Sequence, residues 1–381
     1  MDHPVNPTRI KILFMIDTLF SDKGGTEKQL LGIIERLNRS EFEPYLACLY
    51  RHEWMETAKL PCPVFYLDYK GFFSPSIFRS LYRLRQFIQE TQINLVHIFF
   101  HDSQFVCYLA TRFMKRRPAI FSSRRDIGIS RPWYHSLYDV FLPLLNHSFD
   151  GIIANGENIK AHVLKNERCV DGKIKVIRNG FEVPKEGPVP EIYSKHSPDI
   201  WIGIAANLDK VKRYDVFLGA ISILKEHYNF YSFHAVILGK GPEEANLKEL
   251  QKRLKLESCV HFLGSVPNVF DHVRQWDIGV LCSDAEGFSN SLMEYMACGL
   301  AVVATSVGGN PELIDAEING LLCPPGKSSN LAGEISRLIF SDNLRKHLGV
   351  KAKEKMKNAF SWERTMRDFE GLYKEFAQWQ Y

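Results

Sequence analysis

Residues 278–314 read IGVLCSDAEGFSNSLMEYMACGLAVVATSVGGNPELI. The stretch opens on an apolar run, Ile278 to Cys282, suited to a strand buried on both faces. Glu286 then falls in a loop. Ser289 and Asn290 are both good N-caps and Gly299 is a good terminator, so a helix is expected between them. A second apolar run, Ala301 to Ala304, leads into Val307-Gly308-Gly309-Asn310-Pro311, with proline at an expected first helical position. Strand, loop, helix, repeated, is the rhythm of a parallel sheet with helical crossovers.

The same rhythm extends outward from this stretch. Ile200 to Ala205, Phe233 to Leu238 and Val260 to Phe262 read as further strands separated by helical patterns. In the first half, Ile10 to Ile16, Ile93 to Phe99, Pro118 to Phe121, Gly151 to Ala154 and Lys175 to Ile177 do the same. Leu30, Leu31, Ile33, Ile34 and Leu37 recur at helical spacing after the first of these. Pro184 to Pro198, with Pro184, Gly187, Pro188, Pro190 and Pro198, breaks the pattern and has a linker's composition. The expected fold is α/β, with two doubly wound, Rossmann-like parallel sheets facing across a cleft. The first domain is expected over 1–185 and the second over 198–361. A terminal helix at about 362–381 is expected to return to the first domain. Ligands of such sheets bind beyond the carboxyl ends of the strands.

Bulk properties agree with two domains. A chain of 381 residues is too long for one ordinary core. With 45% hydrophobic and 24% charged residues, it has the composition of a globular protein. The eight cysteines form no C-x-x-C pair and mostly lie in apolar runs. Free thiols in a reducing compartment explain them better than zinc or disulfides. Met1 to Arg9 carries no apolar leader, and no run approaches the roughly 20 residues of a membrane span. A cytoplasmic protein is expected. Through residue 195 there are 27 Lys and Arg against 21 Asp and Glu, and after it 21 against 23. The first half is thus net +6 and the second net −2. A basic first half suits an anionic partner, although chance asymmetry accounts for it equally well.

Several loops could receive phosphate or sugar. Gly24-Gly25-Thr26-Glu27 ends the first strand-to-helix connection, and its glycines admit a ligand close to the backbone. Thr26 with Gln29 fits a capping box, which would open a helix whose free N–H groups face an anion. Lys210, Lys212 and Arg213 follow Asn207 just past the strand Ile200 to Ala205, where lysine can act as a point charge on a diphosphate. Leu238-Gly239-Lys240-Gly241-Pro242 follows another strand. Ser289, Asn290 and Ser291 present amides at a helix start. Glu286 and Glu294 beside a phosphate site make sense if they bind hydroxyls of a sugar and a ribose. Taken singly, each loop is matched by an ordinary turn or a solvated surface. Five of one design are harder to dismiss.

With these residues in view, the sequence resembles family 4 glycosyltransferases of the GT-B fold, over nearly the whole chain. The Glu286-x7-Glu294 pair within EGFSNSLMEYMACGLAVVAT is the most specific part. GGTE at 24–27, IRNGFE at 177–182, LGKGPE at 238–243 and VGGNPELI at 307–314 also resemble family motifs. The resemblance implies a retaining transferase that needs no metal or other cofactor, its nucleotide sugar being a substrate. It implies that Lys212 neutralises the leaving diphosphate, that Glu286 holds sugar hydroxyls and that Glu294 holds the ribose. Gly24 and Gly25 would line the diphosphate or sugar. Asn207, Arg213, Gly239, Val266, Gly287, Phe288, Ser289, Asn290 and Ser291 would complete the donor site. Many relatives have arginine at the position of Asn207 and a histidine in the segment that here reads Ser122-Ser123-Arg124-Arg125-Asp126. Arg124, Arg125 and Asp126, with His97 and His101, are therefore the acceptor-side candidates. A core or strand-end position is the simpler reading of either histidine.

The expected partners are a UDP- or GDP-linked sugar and a glycan or lipid-linked acceptor, as in bacterial polysaccharide or envelope assembly. Nucleic acid is not expected, because the basic excess is small and no aromatic-basic motif supports it. Arg79, Arg83 and Arg85 interleave with Ile77, Phe78, Leu81, Tyr82 and Leu84, and Lys115-Arg116-Arg117 adds charge. Such a helix can rest on an anionic membrane at its inner face, and a helix packed on its own sheet reads the same way. The rival functions are a nucleotide-sugar epimerase or phosphorylase of this architecture and a non-catalytic sugar-nucleotide-binding subunit.

Overall fold

The computed structural model describes residues 9–21, 24–72, 74–125, 135–194, 199–227 and 233–377, with the backbone alone at 135–139. The chain forms two compact units. One comprises Met1–Gly180 with Trp362–Tyr381, and the other Phe181–Ser361.

Among the described residues the first unit carries a seven-stranded sheet. Its strands are β1 (Ile10–Ile16), β2 (Phe42–Cys48), β3 (Val64–Tyr66), β4 (Leu95–Ile98), β5 (Ala119–Arg124), β6 (Gly151–Ala154) and β7 (Ile174–Val176). They lie in the order β3-β2-β1-β4-β5-β6-β7, every pair parallel. The central strand shows why. Ile12, Phe14 and Ile16 face one apolar cluster, while Leu13 and Met15 face another. A strand buried on both sides needs cover on both sides, and the helical crossovers between parallel strands supply it.

The second unit repeats the plan with six strands among the described residues: β8 (Ile200–Ala205), β9 (Phe233–Leu238), β10 (Val260–Gly264), β11 (Ile278–Leu281), β12 (Ala301–Thr305) and β13 (Leu321–Cys323). Their order is β10-β9-β8-β11-β12-β13, again all parallel. Gly203 and Gly279 stand opposite each other in the β8–β11 pair. A Cβ on Gly203 would lie 1.9 Å from the Trp276 ring, and one on Gly279 2.6 Å from Tyr295. The two glycines leave the space that these large side chains fill.

The expected α/β class and doubly wound sheets are thus present in both units. Sequence patterning missed β2, β3 and β13. β2 carries Glu43 and Pro44 within its span, and the other two are three residues long. Each becomes a strand by pairing laterally with a stronger neighbour. The helix Trp362–Ala377 adds Met366, Phe369, Leu372 and Tyr373 to the first unit's core. Gly32 and Gly180 make room for Trp362, since a Cβ on either would come within 2.5 Å of its ring. The proline-rich stretch begins in the second unit: Tyr193 is buried there and its hydroxyl accepts from Trp276 Nε1 at 2.9 Å.

Candidate functional site

In each sheet the strand order reverses beside the first strand, between β1 and β4 and between β8 and β11. The loops leaving two such strands diverge to opposite faces and open a crevice at their carboxyl ends. In the second unit those loops carry Lys212 and Glu286.

Lys212 ends a short 3-10 turn, Lys210–Lys212, after β8. Its Nζ donates to Glu286 Oε1 at 2.7 Å. Ser283 Oγ donates to the same oxygen at 2.6 Å. Glu286 is 7% exposed, so these bonds compensate a carboxylate taken out of water. The turn is held from below, since Cys282 Sγ lies 3.2 Å from the Lys212 carbonyl and the Asp284 N–H donates to Val211 O. Arg213 stands in a left-handed conformation, φ 52°, and forks between Asp215 and Asp284, each at 2.9 Å. Two carboxylates therefore balance Arg213. The Lys212 ammonium has more donors than the one Glu286 takes.

The helix Asn290–Cys298 begins next to Glu286. Ser289 caps it by accepting from Leu292 N–H at 3.3 Å, and Gly299 closes it at φ 83°. Ser291 Oγ donates to Ala205 O at 2.6 Å, while Tyr295 Oη accepts from Ala205 N–H at 2.6 Å. The helix start is thereby anchored to the end of β8. With both serine hydroxyls so engaged, what Ser289, Asn290 and Ser291 can offer an anion is chiefly backbone N–H. Phe288 is a core side chain, its ring 5.7 Å from Phe360, so only its backbone borders the loop. Glu294 lies half-buried one turn into the helix.

The glycine loops seat against these elements. Gly308 has φ 52°, and a Cβ there would lie 1.8 Å from the Glu286 carbonyl oxygen. Gly309 N–H donates to Gly287 O at 2.9 Å. The loop after β12 therefore supports the loop that bears Glu286. Gly239, at φ 134°, brings the loop after β9 against Ala206 O, which would stand 2.0 Å from its Cβ. Asn207 is exposed, and Val266 is half-buried against the core that contains Phe288. Asp209, Lys210, Arg213, Tyr214, Asp215, Glu243, Leu247 and Asp284 line an open pocket of about 350 Å³ beside the turn.

The first unit places its candidates differently. Gly24 is the N-cap of the helix Gly25–Arg36, with no side-chain capping bond. The expected Thr26–Gln29 capping box is not formed, because Gln29 is buried and turned to the backbone of Gly180. It donates to Gly180 O at 2.8 Å and accepts from Gly180 N–H at 3.1 Å. Glu27 folds over the helix start instead, its carboxylate within 2.3 Å of where a Gly24 Cβ would stand. Burial raises its pKa.

His97 is fully buried on β4, between Tyr373 Oη at 2.7 Å and Ser123 Oγ at 2.8 Å. Burial, with Arg125 adding to it, holds its pKa well below the ordinary value, so the neutral ring is favoured. Arg124 is 3% exposed and paired with Glu167 at 2.9 Å, with Ser122 Oγ at 2.5 Å and Asn146 Oδ1 at 2.9 Å. Its guanidinium is consumed by the core, which corrects its place among the acceptor-side candidates. Arg125 is the more available group. It is half-buried, donates to Asn179 Oδ1 at 2.5 Å and lines a small cavity with Thr26, His101 and Gln104. Desolvation lowers its pKa to about 10. Asp126 lies outside the described residues.

Three contributors went unread in the sequence: Ser283 on Glu286, Tyr295 on Ala205 and Asp17. Asp17 directly follows β1, and its Oδ1 accepts from Ser103 N–H at 2.9 Å and Oγ at 2.6 Å. Burial, and then the neighbouring Asp102, raises its pKa to about 7. Its place at the end of the central strand was the available signal.

Residues 199–341 match the family model described as Glycosyl transferases group 1, and residues 23–184 match Glycosyltransferase Family 4. The chain is 31% identical over 205 residues to the N-acetyl-alpha-D-glucosaminyl L-malate synthase of Bacillus anthracis, covering 54% of this chain and 51% of that protein. It thus spans about half of that relative's length. It is 27% identical over 282 residues to a Campylobacter jejuni N-acetylgalactosaminyltransferase acting on a diphospho-undecaprenol glycan, covering 72% of this chain and 75% of the relative. Among solved structures, a Rickettsia africae glycosyltransferase superposes with a TM-score of 0.82 at 20% identity, over 97% of this chain and 99% of that one. Anabaena HepE in complex with UDP-glucose gives 0.79 at 23% identity, over 96% and 99%.

Proposed function

The chain is a glycosyltransferase of family 4 and the GT-B fold, and from that premise we propose that it moves a sugar from a UDP- or GDP-linked donor to a glycan or lipid-linked acceptor. The observation that carries this reading is the Lys212–Glu286 pair at the switch point of the second sheet, beside the start of the helix Asn290–Cys298.

In this reading the diphosphate lies between Lys212 and the first amides of that helix. Both supply positive potential where negative charge grows as the donor bond breaks. We therefore propose transfer without a divalent cation, with undiminished rate in excess EDTA as its check. Glu286, held by Lys212 and Ser283, is oriented to accept from sugar hydroxyls. Glu294 is assigned to the ribose. Retention of anomeric configuration is proposed on the strength of family membership. Gly24, Gly25, Arg125 and His101 are assigned to the acceptor or sugar side.

The kinship with the Campylobacter transferase supports a lipid-linked acceptor and a role in bacterial envelope or polysaccharide assembly. The eight free thiols suit a reducing cytoplasm. No helix among the described residues is long and apolar enough to cross a membrane. Calorimetric titration of the full chain with a panel of UDP- and GDP-sugars tests the proposal. Saturable binding of one donor, weakened in Lys212→Ala, is expected. Absence of binding across both nucleotide series overturns it.

A further inference from the structure

One side of the first unit is covered by the helices Ser76–Thr91, His101–Thr111 and His135–Ser148, packed in that order. Their inward positions are spent on the core: Ile77, Leu84 and Ile88 from the first, and Val106, Cys107 and Ala110 from the second. Their outward face is unusually apolar for a surface. Phe78 is 75% exposed, Tyr82 67%, Phe113 76% and Val140 74%, and Phe72, Phe141 and Leu144 are also exposed. These residues are not scattered. The Phe105 ring touches Phe72 at 4.7 Å and Phe141 at 5.9 Å, joining the strip across the helices. A groove of about 360 Å³, lined by Phe72, Pro75, Ile77, Phe78, Leu81 and Leu109, runs into it.

The first two helices of this face and the turn after them carry an excess of cations. Residues 76–117 contain seven Lys and Arg against only Glu90 and Asp102. Arg79, Arg112, Lys115 and Arg116 are exposed among the aromatics. Arg85 donates to Phe113 O at 3.2 Å, and Arg112 lies 5.4 Å over the Phe113 ring. Arg85 and Arg112 thus hold Phe113 outward, while Arg83 and Arg117 pair with Asp68 and Asp150 at 2.7 Å each. Asp102 is turned the other way, taken by Tyr50 Oη at 2.9 Å.

We propose that this face rests on an anionic lipid bilayer, with Phe78, Tyr82 and Phe113 in the interface and Arg79, Arg112, Lys115 and Arg116 at the headgroups. Interfacial aromatics between cations suit that boundary, because each ring sits among headgroups and acyl chains while the charges meet lipid phosphate. Charge complementarity selects the occupant. An apolar face with Arg79, Arg112, Lys115 and Arg116 exposed on it fits a continuous negative surface, and each cation held there strengthens binding about fivefold. Phe72 belongs to the connection leaving the carboxyl end of β3, the sheet end that also carries Gly24, Gly25 and His101. An acceptor anchored in the bilayer would reach the site from that side. The inference stands independently of the proposed reaction.

The test is co-sedimentation of the full chain with vesicles of pure phosphatidylcholine and of equal parts phosphatidylglycerol and phosphatidylcholine. Binding to the anionic vesicles is expected, weak on the neutral ones and reduced by salt. The triple variant Arg79→Glu, Lys115→Glu, Arg116→Glu is expected to bind at least about 100-fold more weakly. The variant Phe78→Ser, Tyr82→Ser, Phe113→Ser is expected to lose binding even at low salt. All six positions are exposed, and circular dichroism with nucleotide titration checks that each variant is folded. Equal binding by wild type and charge variant, or no binding to anionic vesicles, overturns the proposal. So does a dimer in light scattering that the aromatic variant dissolves, which would make the face a protein interface.

Discussion

Lys212 Nζ lies 2.7 Å from Glu286 Oε1, although 74 residues separate them in the chain. They meet because β8 and β11 are neighbours while their following loops part. In the proposed function the Lys212 ammonium is shared between a buried carboxylate and an incoming diphosphate, which links sugar and leaving group. Lys212→Ala is expected to lower turnover by about 100-fold or more, the scale seen when a preorganised charge is removed from a developing anion. Glu286→Gln is expected to lower it as well, since an amide keeps the shape but offers one acceptor fewer. Donor turnover with circular dichroism as the fold control checks both. Wild-type rates in either variant would remove that residue from the mechanism.

Gly308→Ala tests the support beneath Glu286. The substitution puts a Cβ into the Glu286 carbonyl and holds alanine at φ 52°. The left-handed backbone alone costs about 1–2 kcal/mol, and the clash forces the loop to move. The variant is expected to melt lower and to lose donor affinity together. Unchanged affinity with a lower melting temperature would show that the loop after β12 is structural only.

Arg124→Ala is expected to be a stability variant. It strands the Glu167 carboxylate, 4% exposed, without its cation. Losing one member of a buried pair costs about 3–5 kcal/mol. Chemical denaturation should show that loss, while nucleotide affinity, which the proposed function assigns to the second unit, is expected to stay at the wild-type value. A stable Arg124→Ala protein with weakened acceptor use would restore the acceptor role that the structure removes.

Asp17 gives a pH signature. Its pKa is raised from 3.8 to about 7 by burial, so between those values the folded state binds more protons than the unfolded state. Stability from this group is present below 3.8 and is lost as pH rises through 7. Asp17→Asn keeps an oxygen for Ser103 and has no proton to lose. Its stability relative to wild type should therefore improve as pH rises from 4 to 8, by roughly 2–4 kcal/mol. Urea midpoints for the two proteins across that range check it. Parallel profiles would mean that Asp17 ionises normally in the fold.

The central strands were legible because runs such as Ile10–Ile16 and Ile278–Leu281 are apolar on both faces, a pattern that needs no neighbours to read. β2, with Glu43 and Pro44, could be read only after β1 had paired with it. The residues proposed for the donor side stood out because glycines, caps and carboxylates recur at the ends of strands. Arg124, read by the same rule, proved to be a core group, and His97 took the core position that was its simpler reading. Strand alternation gives a side chain's face but not the partner waiting there: Glu167 for one, Tyr373 from the last helix for the other.

The chain's sequence was sufficient for the class of fold, for two repeats of it and for the resemblance to glycosyltransferases. Those depend on short-range patterns of apolar, glycine and capping residues. Which carboxylate the lysine meets, which arginine remains available and which aromatics stay outside depend on contacts between distant segments. Gln29 shows the limit plainly. Its spacing from Thr26 suited a helix cap, yet the better satisfied arrangement is a two-bond contact with Gly180, 151 residues away. A buried amide settles where both its donor and acceptor are met, and only the folded chain brings such a partner within reach.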